Sequence, residues 1–134
     1  MTIDLTAQDK TTLRTAAFGA VTLLAYAASP ASAHKVSTDG TLSFAAATGA
    51  VGHALASKKR DFKLDVKSSA ALADQVLPAL AHSVRLLGAH DPKEAANFQA
   101  AITTAVAAAD RAHKGEPSPG MTAMAEKIAQ ALQA

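Results

Sequence analysis

Apolar residues recur along this chain at three- and four-residue intervals, the period of a helix with one buried face. Leu13, Ala17, Ala20/Val21, Leu24 and Ala28 form the first such stripe. Thr6 and Asp9 stand in capping-box register ahead of it, with Leu5 placed to staple the first turn. Ser29-Pro30 ends it, because proline disfavours the helical conformation of the residue before it. A first helix is therefore predicted from about Thr6. His34 to Asp39 reads as a loop. A second helix is predicted from about Thr41 to Ser57, with Leu42, Ala45/Ala46, Gly49, Gly52/His53 and Ala56 on one face. Asp39-Gly40 is also a hairpin turn signal, but Ala45 to Ala47 do not support a strand, and the helix is preferred. Gly49 and Gly52 each weaken a helix by about 1 kcal/mol relative to alanine, and another backbone passing close by is the expected reason for both.

The period changes in the next segment. Phe62, Leu64 and Val66 alternate with Lys63, Asp65 and Lys67, which is the period of an extended chain. One such segment makes no sheet, so residues 61–67 are expected to lay three apolar side chains on the helices and turn their charges to water. Helical spacing returns with Leu72, Val76, Leu80, Val84 and Leu87, widened by Leu77, and predicts a third helix from about Ser69 to Leu87. Pro78 lies inside it, removes one backbone hydrogen bond and clashes with the carbonyl of Asp74, so a kink is expected there. Gly88 is expected to end this helix. Asp91, Pro92 and Glu94 give the clearest helix start in the chain, as cap, first residue and box partner. Ala95, Phe98, Ile102, Ala105/Val106 and Ala109 face inward from this fourth helix, and Gly115 closes it. Ser118-Pro119 opens a fifth, with Met121, Met124/Ala125, Ile128 and Leu132 as its stripe. Helices of this kind joined by short links must bury their stripes against one another. The expected fold is all-α: a single-domain antiparallel bundle of about five amphipathic helices over residues 1–134, with a short extended segment near 61–67.

Composition refines the picture. Alanine dominates and aromatic residues are 4% of the 134 residues, so helix axes can approach closely and the core has few large anchors. There is no cysteine, which excludes disulfides, thiolate nucleophiles and Cys-ligated zinc and fits a reducing, cytoplasmic compartment. The rival is export. Ala16 to Ala28 is an apolar run, and Ala31-Ser32-Ala33 has the small-x-small form of a signal-peptidase site. Asp4 and Asp9 dilute the positive charge such a leader needs, and Thr22 and Tyr26 interrupt its apolar character. The run is too short for a membrane span, which needs ~20 apolar residues. A formal charge of +2 is too small to announce a nucleic-acid binder.

Four constellations could carry chemistry. Thr48 to Ala56, with Gly49 and Gly52, resembles the turn of a dinucleotide-binding domain, but no βαβ unit surrounds it and a third glycine is missing, so no cofactor is implied. Asp110 and His113 stand three apart and share a helix face, which makes them a candidate metal pair if Glu116 or His90 joins them. The plainer reading is that His113 and Lys114 complement the negative end of a helix dipole. The helical di-iron pattern is absent, since no Glu-x-x-His occurs. His53 and His82 have no adjacent partner that would mark a general base, and no Gly-x-Ser-x-Gly elbow supports a hydrolase. Lys58, Lys59, Arg60, Lys63 and Lys67 form the densest basic run and are candidate anion contacts, for nucleic acid or anionic lipid, with Asp61 and Asp65 interleaved. The segment Val106 to Leu132, through Asp110, Glu126 and its alanines, resembles the helix-loop-helix of small tellurite-resistance-type helical domains. The acidic metal-contacting pattern of that family is absent, so the resemblance implies no site residues here.

With the catalytic signatures missing, the expected function is that of a non-enzymatic helical module that binds itself, as a homodimer, or another protein. The alternatives are a small-ligand or metal-binding bundle and an anionic-surface binder through residues 58–67. Small-residue faces on the first two helices are the expected basis of a two-fold contact.

Overall fold

The computed structural model describes residues 4–57 and 61–133. They form six α-helices: α1 (Ala7–Ala27), α2 (Ala33–Leu42), α3 (Gly49–Ala56), α4 (Ser69–His90), α5 (Pro92–Ala112) and α6 (Pro119–Ala131), with a 3₁₀ turn at Ser43–Ala46 between α2 and α3. There is no strand among the described residues. The predicted all-α bundle is what forms, built on one continuous apolar cluster.

The first helix is its hub. α1 touches all five other helices, and Leu13, Ala16, Ala17, Ala20, Val21, Leu23 and Leu24 are buried on it. A helix packed against five others over most of its length has little need of a polar face. That explains why the run from Ala16 to Ala28 reads like the apolar stretch of a leader. The capping box forms as expected: Thr6 N–H donates to Asp9 Oδ2, and Asp9 N–H to Thr6 Oγ1, both at 3.0 Å. Ser32, in the middle of Ala31-Ser32-Ala33, is buried where α1 turns into α2.

The second quarter departs from expectation. His34 to Asp39 is not a loop but the body of α2, and the predicted helix over 41–57 is broken in two. α2 packs through Val36, fully buried, and Gly40, where an added Cβ would lie 2.9 Å from Val21 Cγ1. One valine and one glycine four residues apart make too faint a stripe to register as a period. The break at Ala47-Thr48 has a local cause. Gly49 takes φ +70, a conformation L side chains rarely adopt. The chain then folds back so tightly that a Cβ on Gly52 would overlap the carbonyl oxygen of Ala47. The close backbone expected beside Gly52 is therefore the chain's own, whereas Gly49 is required by its own dihedral.

α4 runs unbroken through Pro78 and past Gly88 to His90. Pro78 and Asp74 both lie on the exposed face, so water can satisfy the carbonyl that loses its donor. Val76, on the opposite face, packs over Gly19 so closely that a Cβ there would overlap Val76 Cγ2. Gly19 of α1 and Gly40 of α2 are thus occupied inside the fold, by Val76 of α4 and by Val21 of α1. Asp91 alone separates α4 from α5, and its Oδ1 accepts Lys93 N–H at 3.0 Å. Ser118 opens α6, its Oγ accepting Met121 N–H at 3.1 Å.

Candidate functional site

Ahead of α4, residues 61–67 form a strap outside any helix, and it brings several chemically distinctive side chains together. Phe62 anchors it. Its ring stacks on Phe18 of α1 at 5.4 Å between centroids and 2° between planes, and Phe18 meets Phe44 edge-on at 5.4 Å. Leu64 packs against the apolar cluster. Val66 does not: it is 54% exposed, so two of the three expected apolar contacts form.

One end of the strap is tied down by charge. Arg14 points out of α1 into the interior, where it is 2% exposed. Its Nε and Nη2 donate to Asp61 Oδ1 and Oδ2 at 3.0 and 2.6 Å, and its Nη1 donates to the carbonyl of Ala54 at 3.1 Å. That carbonyl belongs to the last turn of α3, which has no helical donor of its own. Thr11 Oγ1 adds a bond to Asp61 Oδ2 at 2.8 Å. The hydrogen bond from Arg14, then that from Thr11, hold the Asp61 carboxyl down at a pKa of about 2, against desolvation that raises it. A cleft of about 230 Å³ lies beside this pair, lined among others by Lys10, His53 and Ser57.

The middle of the strap is held by one side-chain amide. Gln75 Nε2 of α4 donates to the Lys63 carbonyl at 2.8 Å, and Asp65 N–H donates to Gln75 Oε1 at 2.7 Å. These are the two bonds that a neighbouring strand would make to the residues flanking Leu64. Lys67 N–H turns back to Asp65 Oδ1 at 3.2 Å, and the Tyr26 hydroxyl donates to the Val66 carbonyl at 3.3 Å. Tyr26 is itself 45% exposed. A shallow depression of about 350 Å³ runs along Lys63 to Lys67 and Gln75.

The anion candidates divide. Lys63 and Lys67 are exposed on the strap; Lys58, Lys59 and Arg60 lie outside the described residues. The aromatic ring that could have offered bases a platform, Phe62, is stacked on Phe18.

Asp110 and His113 lie together at the end of α5, beside the joint between α1 and α2. His113 Nε2 accepts the Ser29 N–H at 3.1 Å, so that nitrogen faces a donor. Asp110 Oδ1 and His113 Nδ1 are buried without hydrogen-bond partners. Burial pushes the Asp110 carboxyl above its ordinary range, and the neighbouring His113 opposes that shift. No group of three or more His, Cys, Asp or Glu able to hold a metal occurs among the described residues, so neither His90 nor Glu116 completes the pair.

The glycine-containing turn has an anion of its own. Glu94 does not close a box on α5; its Oε1 accepts Val51 N–H at 3.1 Å in the first turn of α3. Asn97 Nδ2 donates to the Thr48 carbonyl at 2.5 Å beside it. A carboxylate thus takes the place at the helix N-terminus that a phosphate would need. His53 and His82 are exposed.

Sequence reasoning missed Arg14, Gln75 and Glu94 in these roles. Arg14 carried a signal, a charge between Leu13 and Ala17 on an otherwise apolar stretch. Gln75 carried none. Compared with known proteins, the chain matches no family model, no curated protein sequence and no solved structure. No helix among the described residues is long and apolar enough to cross a membrane.

Proposed function

We propose that this protein is a non-enzymatic helical module that acts by protein–protein contact, and that the strap 61–67 with Tyr26 is its contact surface. The observation that carries this reading is the exposed pair Val66 and Tyr26, joined by a hydrogen bond on a strap flanked by the cations Lys63 and Lys67. Large apolar side chains left in water beside charge are the composition of an interface rim and its edge of core. Several polar groups elsewhere support the same view by holding loops: Arg14 and Asp61 fasten the strap, Glu94 and Asn97 clamp α3, and His113 Nε2 holds the α1–α2 corner.

The test places a photo-crosslinking residue at Val66 and, as control, at exposed His82 on α4. A protein adduct, to a second copy or to another chain, that forms from position 66 alone and disappears with Lys63→Glu/Lys67→Glu is expected. Equal adduct patterns from both positions overturn the reading.

A further inference from the structure

The strap has two edges, and one of them is filled. Gln75 takes the Lys63 carbonyl and the Asp65 N–H. Groups of successive residues alternate between the two edges of an extended chain. The N–H and C=O of Leu64, between them, therefore point to the opposite edge. Neither makes a hydrogen bond to any described residue. Backbone groups are left in this condition only where water reaches them. An unpaired edge of this kind is a template for strand addition.

The side chains along this edge specify what can lie beside it. Reading Asp61, Lys63, Asp65 and Lys67, charge alternates in sign at every second residue. An identical strap laid antiparallel, with Leu64 opposite Leu64, puts Lys63 opposite Asp65, twice by the two-fold, while Asp61 stays with its own Arg14. Slipping the register by one step sets Lys63 against Lys63 or Asp65 against Asp65, so like charges resist it. In the centred register the two Leu64 residues exchange N–H···O=C bonds in both directions, and exposed Val66 comes to lie across from Phe62 of the other copy.

We propose that the chain forms a two-fold homodimer by antiparallel pairing of its straps, centred on Leu64, with Lys63–Asp65 as its cross-strand charge pair. This rests on the contact surface named above and identifies its occupant as a second copy. The two bonds to Gln75 brace each strap from behind, so an added strand meets a rigid edge. The Val66 carbonyl, on the same edge, keeps a second lone pair beside the Tyr26 hydroxyl. A contact of one strand pair is small, so the dimer is transient.

Sedimentation velocity on the full chain, with amide exchange at Leu64, tests this. The expected result is a concentration-dependent shift from monomer to dimer, with Leu64 exchange slowing in step. Lys63→Asp and Asp65→Lys each weaken the dimer roughly tenfold or more, by opposing like charges. Lys63→Asp/Asp65→Lys in one chain restores it. A mixture of the two single variants forms a heterodimer, because the two carboxylates at positions 63 and 65 of one chain then face the two ammonium groups at positions 65 and 63 of the other. Three results overturn the proposal: a monomer up to ~1 mM, at which free energies near −4 kcal/mol are still detected; a dimer indifferent to these charges; or Leu64 exchange independent of concentration. Adducts from position 66 to a different protein, from a chain that stays monomeric, would remove self-pairing while leaving the binding-module reading intact.

Discussion

Arg14 and Asp61 meet through two parallel hydrogen bonds, Nε to Oδ1 at 3.0 Å and Nη2 to Oδ2 at 2.6 Å, and this pair decides where the strap begins. The two partners differ in surroundings. Arg14 is enclosed at 2% exposure, whereas the Asp61 side chain keeps 34%. Losing the carboxylate leaves a guanidinium in the interior without its counter-charge, which is the costly way to break such a pair.

The pair predicts an acid limb in stability. Asp61 has its pKa lowered from 3.8 to about 2 in the folded chain. A depressed carboxyl stabilises the fold above its unfolded pKa, and the contribution is lost as pH falls through the folded one. Thermal melting of the wild type should therefore drop between about pH 4 and pH 2. Asp61→Asn should melt lower at pH 7 and show a flatter acid limb. Equal slopes for the two proteins across that window would remove Asp61 from the account.

The turn into α3 predicts two separable losses. Gly49 has φ +70, and an added Cβ would lie 2.6 Å from Glu94 Oε2. Gly49→Ala meets both obstacles, and the dihedral alone costs about 1–2 kcal/mol. Glu94→Ala removes the acceptor of Val51 N–H and a negative charge at a helix N-terminus, together about 1 kcal/mol. The double variant should cost less than the sum, since truncating Glu94 clears the space while the dihedral strain remains. Denaturant unfolding of the four proteins measures the coupling.

These elements also show what the sequence could and could not announce. α4 and α5 were legible because Leu72, Val76, Leu80 and Leu87, or Phe98 and Ile102, are large and regularly spaced, and because Asp91-Pro92 is an unambiguous start. α2 was hidden because Val36 and Gly40 carry its packing through small volume, and absence of a side chain leaves no periodic mark. The alternation over 61–67 was visible, but its meaning was not. Gln75 reaches it from another helix, and no local pattern says that a glutamine will stand in for a strand. Helical spacing puts Asp110 and His113 on one face near the end of α5. The donor that His113 accepts, the Ser29 amide, lies 84 residues away in the chain, beyond the reach of any spacing rule.

Asp110 predicts a stabilising substitution. Its Oδ1 is buried without a partner, and burial raises its pKa. A carboxyl raised in this way favours the fold at low pH, and that advantage disappears as pH rises through the folded pKa and the group ionises. It also stands in the last turn of α5, at the negative end of the helix. Asp110→Asn removes the buried charge and should raise stability at pH 7 by up to about 1 kcal/mol, limited because the residue is only partly enclosed. The gain should vanish near pH 3. A loss at pH 7 would mean that the carboxylate has a favourable partner.

The α1–α2 corner, residues 27–32, and the connector 113–118 are laced together by three hydrogen bonds. Ser29 N–H donates to His113 Nε2 at 3.1 Å, Lys114 N–H to Ser32 Oγ at 3.0 Å, and Ser118 O–H to the Ala27 carbonyl at 2.7 Å. The lacing fixes where α2 leaves α1 and where α6 starts, so one missing bond should loosen both. His113→Ala leaves the Ser29 amide without its acceptor and should cost about 1–2 kcal/mol. His113→Gln keeps an acceptor oxygen at nearly the reach of the ring nitrogen and should recover part of that loss. Amide exchange at Ser29 and Lys114 distinguishes a local effect from a global one. If the lacing is cooperative, both amides exchange faster in His113→Ala than the core of α4 does. Acceleration at Ser29 alone would show the bonds to be independent.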